Sequence, residues 1–346
     1  DQQRALEHCL RSLSFAPTYA RPYPKLVDAY LALKKSAECQ NYLTQALAHS
    51  PQNAAVHFGW GYFYKVSSKY KDGLAALEKA RQLAPEWLDA WYETGATFLR
   101  MENGPNKQKA LEIGERYLQL AQAQGNLEQQ SKAYKIIGLA QDGVGQTTAA
   151  IRSFRQGLQL AETAGDLLLQ DYFYNALCNA YTNLDDYTKA VAACRQGQAI
   201  AITRIREYHL ANLGVAYRRL GDTPNGIACY EEALQIARQK ENTDSQMLVL
   251  TNLGEAYAEQ RRYKESQQLL QEAITLAKQK QRPDKQARAL ASLGKLYFEM
   301  GQYQQATLVQ AQAKELAYLK NDNVQLGRSL NSLALAQAKL RRWRAA

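Results

Sequence analysis

The stretch Leu210-Ala211-Asn212-Leu213-Gly214-Val215-Ala216-Tyr217 returns three times, as Leu250-Thr251-Asn252-Leu253-Gly254-Glu255-Ala256-Tyr257, Leu290-Ala291-Ser292-Leu293-Gly294-Lys295-Leu296-Tyr297 and Leu330-Asn331-Ser332-Leu333-Ala334-Leu335-Ala336-Gln337. Each copy begins 40 residues after the last. A period of this length marks an array of small supersecondary units. Working outward, the glycine position is filled by Val27, Gly61, Gly95, Gly138, Cys178, Gly214, Gly254, Gly294 and Ala334, in steps of 34, 34, 43, 40, 36, 40, 40 and 40. Three residues on stand Tyr30, Tyr64, Phe98, Gln141, Tyr181, Tyr217, Tyr257, Tyr297 and Gln337. Twelve residues after the glycine position a small residue recurs: Cys39, Gly73, Ala150, Ala190, Gly226, Ser266, Ala306 and Ala346. Ala110 takes this place if an insertion near Asn103-Gly104-Pro105 is allowed, and Ala5 fits it in a repeat whose beginning is missing.

Apolar residues three and four apart put one stripe on each of two helices per repeat. A glycine inside a helix costs roughly 1 kcal/mol against alanine. Its return at one position therefore needs a packing reason, and a neighbouring helix crossing there supplies one. A helix pair cannot bury its stripe alone, so neighbouring pairs stack into a continuous core. The expectation is an all-α chain of antiparallel helix pairs.

This frame resembles the tetratricopeptide repeat. Trp91, Gly95 and Phe98 match the first helix of that pattern, and Pro17, Pro51 and Pro85 stand 34 apart at the place of its terminal proline. Tyr70, Tyr187, Tyr263 and Tyr303 recur in the turn between the two helices, and Trp343 takes that place last. The resemblance implies a right-handed α-solenoid: 34-residue repeats over residues 1–100, longer and mostly 40-residue repeats over 101–346, in one continuous array cut within repeats at both ends. The longer form is similar to the repeats of kinesin light chains, of LGN polarity proteins, and of bacterial proteins that join such repeats to a caspase-like or STAND ATPase domain. Asn103–Asn106 is expected as a longer exposed turn.

Composition narrows the function. Hydrophobic residues make up 46% and charged residues 22% of the 346, a folded composition rather than a disordered one. No run reaches the ~18 apolar residues of a membrane span. The chain opens on Asp1 with no signal segment, and is expected to be a piece of something longer. The net charge is +10, and residues 201–346 hold 22 Lys+Arg against 14 Asp+Glu. An acidic partner would dock there; a solvated basic surface is the alternative. Five cysteines, an odd number without a CxxC pair, argue against a disulfide framework and for a reducing, cytoplasmic setting.

The residues of catalysis are not assembled in the sequence. Gly143-Val144-Gly145-Gln146 lacks the lysine of a phosphate loop, and HExxH is absent. His8, His49, His57 and His209 fall on different repeats. Cys9, Cys39, Cys178, Cys194 and Cys229 lie at or beside the small-residue positions and read as small buried hydrophobes. Glu231-Glu232 and Asp185-Asp186 read as turn or outer-face charges, and the recurring tyrosines as core. The expectation is a protein that is not an enzyme, with no catalytic, metal-ligating or cofactor-binding residue.

The resemblance implies binding of a peptide or protein segment in a concave groove lined by first helices. At 100° per residue, positions six, three and two before the glycine position, and one, four and five after it, face away from the Leu, Gly and Tyr side. They select Asn175, Asn179, Tyr208, Asn212, Arg218, Arg219, Asn252, Glu255, Arg288 and Lys295 as partner-binding residues. Phe58, Tyr62, Lys65 and Tyr92 take such places nearer the N-terminus. An amide offers donor and acceptor together, so the asparagines suit a peptide backbone. Arg218, Arg219, Arg288, Lys295 and Arg328 suit carboxylates, and Glu255, Glu259 and Glu299 interrupt them as no nucleic-acid track would. The carboxylate clamp for chaperone tails does not fit, because Leu139 stands where an Asn would follow Lys135. The reading is a non-enzymatic scaffold for a protein or peptide ligand with acidic groups. The alternative is the sensor or regulatory arm of a larger enzyme, a caspase-like protease or STAND ATPase. The cut repeats also suggest end-to-end self-association.

Overall fold

The computed structural model describes residues 2–16, 22–101, 104–200, 206–319 and 323–345. Among the described residues there are eighteen helices and no strand. The chain divides into two compact units, Asp1–Phe173 and Tyr174–Ala346. The first unit holds α1 (Gln2–Phe15), α2 (Pro22–Ala32), α3 (Ser36–His49), α4 (Ala54–Val66), α5 (Tyr70–Leu83), α6 (Leu88–Arg100), α7 (Gly104–Ala123), α8 (Leu127–Gly143) and α9 (Thr147–Thr163). Helix α10 (Leu167–Asn183) contains the boundary. The second unit continues with α11 (Tyr187–Ala199), α12 (Arg206–Arg219), α13 (Thr223–Gln239), α14 (Thr243–Glu259), α15 (Tyr263–Gln279), α16 (Pro283–Glu299), α17 (Tyr303–Leu319) and α18 (Asn323–Ala345). Even-numbered helices from α2 carry the glycine position, and odd-numbered helices carry the small one. Within each unit a helix packs on its neighbours in sequence, and successive even-numbered helices also touch: α2, α4, α6 and α8 in the first, α12, α14, α16 and α18 in the second.

The glycine position is where a side chain sixteen residues later enters. A Cβ on Gly61 would stand 2.5 Å from Leu77 Cγ, on Gly138 2.3 Å from the Phe154 ring, on Gly214 2.6 Å from the Tyr230 ring, and on Gly254 2.8 Å from Leu270 Cγ. Such distances leave no room for a methyl group, which explains why glycine persists in mid-helix despite its propensity. The small position approaches the same backbone from the other side. A Cβ on Gly226 would lie 3.0 Å from the Gly214 carbonyl oxygen, and Ser266 Oγ donates to the Gly254 carbonyl at 2.7 Å.

Cys178 and Cys194 correct the reading of the cysteines. They occupy the glycine position and the position sixteen later, and they are joined as a disulfide with Cα atoms 5.3 Å apart. Cys9, Cys39 and Cys229 are free thiols. Burial pushes the Cys39 thiol up to about 12 and the Cys229 thiol to about 11, away from thiolate chemistry.

Seven residues after the glycine position the chain enters the left-handed region: Lys34, Ser68, Asp185 and Arg261, with Gly145, Gly221 and Gly301 in the same place. Two boundary expectations change. Gly104, Pro105 and Asn106 open α7 rather than forming an exposed turn, and Asn103 lies outside the described residues. The last turn, expected at Trp343, is not formed, because α18 runs on to Ala345. Ala346 lies outside the described residues. No helix among them is long and apolar enough to cross a membrane.

Candidate binding groove

In the second unit α12, α14, α16 and α18 lie side by side, and the turn between α10 and α11 closes one side of a groove of about 520 Å³. Arg218, near the C-terminal end of α12, is its hub. Its side chain is only 9% exposed. Nη2 meets Glu255 Oε2 at 2.9 Å, Nε stands 3.6 Å from Glu259 Oε2, and Nη1 donates to the Asn252 carbonyl at 3.2 Å. Glu255 also accepts from Ser292 Oγ at 2.7 Å. Burial pushes the Glu255 carboxyl up, but Arg218, the Ser292 hydroxyl and Arg288 outweigh it and hold it below the usual carboxylate range. Asn252 is 3% exposed, and its Oδ1 accepts from Arg288 Nη2 at 2.8 Å. These bonds tie α12 to α14 and α14 to α16, and the side-chain hydrogen bonds among them join partners 36 or 37 residues apart.

Of the residues selected from sequence, Arg218, Arg219, Asn252, Glu255, Arg288 and Lys295 share the lining of this groove. The remaining four do not line it. Asn212 Nδ2 donates to Asn175 Oδ1 at 2.7 Å, so two of the asparagines bind each other across α12 and α10. Asn179 is exposed on α10, and Tyr208 is half-buried on α12. Arg328, Val215, Ala291 and Ser292 complete the facing helices as the helical geometry expects. Asp185, Tyr187 and Gln325 line the groove and escaped the sequence reading. The first two belong to a turn and the start of a second helix, where a rule built on first-helix faces does not look. The cross-links had a usable signal. In a 40-residue repeat, a partner 37 residues on sits one helical turn short of the equivalent place, so complementary side chains at that spacing mark contacts between first helices.

The first unit satisfies the corresponding face internally. Tyr62 donates to both Asp28 carboxylate oxygens at 3.1 and 3.2 Å, and Lys65 pairs with Glu93. Lys135 stands 4.1 Å from the centre of the Tyr172 ring, and burial with Lys132 nearby lowers its ammonium below the ordinary lysine range. Phe58, expected on the open face, is instead core: it is 3% exposed and packs on Trp87 with ring centres 4.6 Å apart. Among the described residues no cluster of His, Cys, Asp and Glu is arranged to hold a metal ion.

The tetratricopeptide-repeat family model matches residues 205–279 and 245–318, which include α12, α14 and α16 of this groove but not α10, the start of α11 or α18. Comparison with curated protein sequences finds no match. Among solved structures the chain is similar to the apo form of the quorum sensor NprR from B. thuringiensis, with TM-score 0.68 and 14% identity over 91% of this chain and 98% of that one. It is similar to the apo form of RapI, with TM-score 0.62 and 11% identity over 85% and 99% of the two chains. It is also similar to a chain of the APC/C hetero-tetramer Cut9–Hcn1, with TM-score 0.59 and 16% identity over 82% of this chain, where it spans only 52% of that longer one. At these identities the likeness is one of fold. Residues 205–318 match the tetratricopeptide repeat, and the fold of the chain is that of an all-α helical-repeat solenoid.

Proposed function

We propose that the chain is a protein-interaction module whose second unit takes an extended acidic segment of a partner along the groove between α12 and α18. One observation carries this reading. The groove is lined by five cations, Arg218, Arg219, Arg288, Lys295 and Arg328, against two acids, Asp185 and Glu255, and the more buried of the acids is already committed to Arg218. What remains open to a ligand is mostly positive, with Asp185 the one exposed acid of the lining. The excess charge of the chain lies on this side as well, with 24 Lys+Arg against 16 Asp+Glu in residues 174–346. Exposed arginines and a lysine flanking an apolar floor of Val215 and Ala291 suit carboxylates spaced along a peptide. A protein of similar fold is a quorum sensor, which agrees with a ligand site in such a solenoid.

Peptide display selected against the chain tests this. The expected result is enrichment of Asp/Glu-bearing peptides whose binding weakens about tenfold or more in Arg219→Glu/Lys295→Glu, with the helical circular dichroism unchanged. Peptides without acidic preference, or held equally by the variant, would move the interface elsewhere.

A further inference from the structure

The open cations of the groove call for more charge than one carboxylate brings. Arg218 is committed to Glu255 and Glu259. Arg288 reaches a neutral partner, the Asn252 amide oxygen. Among the described residues Arg219 and Arg328 are exposed and hold no hydrogen bond or ion pair. Lys295 is 64% exposed, with Glu299 3.7 Å away. Asp185, the remaining acid of the lining, accepts from the Tyr187 hydroxyl.

The second observation is Asn252. A guanidinium only donates, so the oxygen of the amide must face Arg288 and the NH₂ must point elsewhere. That NH₂ has no hydrogen-bond partner among the described residues, and it keeps contact with solvent although the residue as a whole is nearly buried and lines the groove. A neutral donor left open beside these cations can serve an acceptor that a ligand brings.

We propose that the groove seats a phosphoryl dianion carried on a side chain of the partner segment, between Arg219, Arg288, Lys295 and Arg328, with Asn252 Nδ2 as its neutral donor. The proposal rests on the acidic-peptide reading and narrows it to a phosphopeptide. A phosphoryl group brings about −1.5 to −2 charges and three acceptor oxygens, against about one charge for a carboxylate. Its oxygens suit guanidinium forks. Glu255, Glu259 and Glu299 break the positive run, which fits one localised dianion better than a continuous phosphodiester track.

The test uses three pools of short degenerate peptides, alike except for a fixed central phosphoserine, serine or glutamate, read by fluorescence polarisation. The phosphoserine pool is expected to bind about tenfold tighter than the serine pool and measurably tighter than the glutamate pool. Its advantage should fade from about pH 7.5 to about pH 5, with a midpoint near the second phosphate ionisation at about 6, while the glutamate pool holds steady. The charged and titratable groups facing the seat are Arg218 and Arg219 of α12, Glu255 and Glu259 of α14, Arg288, Lys295 and Glu299 of α16, Arg328 of α18, and Asp185 and Tyr187 of the turn and α11. No histidine is among the described residues that line the groove. Asn252→Asp keeps an oxygen for Arg288 but turns the free donor into an anion, and should abolish the preference for phosphoserine. Arg328→Gln, on an exposed residue, should weaken that pool without loss of helix. A glutamate pool binding as tightly as the phosphoserine pool overturns the phosphoryl seat and leaves the acidic-peptide reading standing. Binding of no pool overturns both. A single-stranded oligonucleotide that displaces the phosphopeptide and binds more tightly overturns the proposal in favour of nucleic acid.

Discussion

Arg218 shows what a buried charge in this array requires. Its guanidinium is almost wholly removed from water, and Glu255, Glu259 and the Asn252 carbonyl supply what water would have given. Removing one partner therefore costs more than the pair contributes. Glu255→Gln should destabilise the second unit by about 1–3 kcal/mol at neutral pH, read from the urea midpoint. The sign with pH follows from the depressed carboxyl. Its stabilising contribution is present above the unfolded value of about 4.3 and is lost as pH falls through the lower folded value. The gap between wild type and Glu255→Gln should therefore shrink in strong acid, and a gap that stays constant would remove Glu255 from the network. The positions of Arg218 and Glu255 were legible from helix geometry. Their pairing was not, because the sequence reading ranked each residue against a ligand and not against a residue 37 places on. Asn212 and Asn175 were missed as a pair for the same reason.

At the scale of the helix pair, the rule is one large side chain entering over one missing Cβ. The repeat of α10 and α11 replaces that rule with a covalent bond, since Cys178 and Cys194 take both places. Counting cysteines could not find this bond, whereas counting sixteen residues from the glycine position would have. A cross-link closing so short a loop is worth about 3 kcal/mol in the chain-entropy account. A dithiol reductant should therefore lower the thermal midpoint of the wild type. Cys178→Gly/Cys194→Leu, which installs the pair found at Gly254 and Leu270, should be indifferent to reductant and lie between the two wild-type midpoints. A wild type whose midpoint ignores reductant would refute the cross-link. The turns give a second prediction at this scale. Arg261 stands at φ 57° where Gly221 and Gly301 stand in equivalent repeats. Arg261→Gly should stabilise by about 0.5–1 kcal/mol, and Gly221→Ala should destabilise by about 1 kcal/mol, both read from chemical denaturation. The strain was not legible, because Lys34, Ser68, Asp185 and Arg261 take the same place as Gly145, Gly221 and Gly301, so residue type there does not mark the left-handed turn.

At the scale of the whole chain, the period alone carried the all-α solenoid, because a stripe that returns every 34 to 43 residues can be buried only by stacking. The division into units was not legible: it falls inside α10, where the repeat pattern runs on unbroken. Charge, which plays no part in the repeat frame, distinguishes the two. Residues 1–173 carry 19 Lys+Arg against 17 Asp+Glu, whereas residues 174–346 carry 24 against 16. Exposed charges act over about a Debye length, roughly 10 Å at ~0.1 M salt and roughly 3 Å at ~1 M. An acidic peptide held by the groove of the second unit should therefore lose about tenfold in affinity between low and high salt, mostly through slower association. In Arg219→Gln/Lys295→Gln/Arg328→Gln the buried Arg218 network is untouched, so the fold should persist while the salt dependence flattens. A peptide whose affinity is equally salt-sensitive in both proteins is drawn by the field of the whole unit and not by these three side chains. One that ignores salt altogether binds through apolar contact, on a face the charge does not mark.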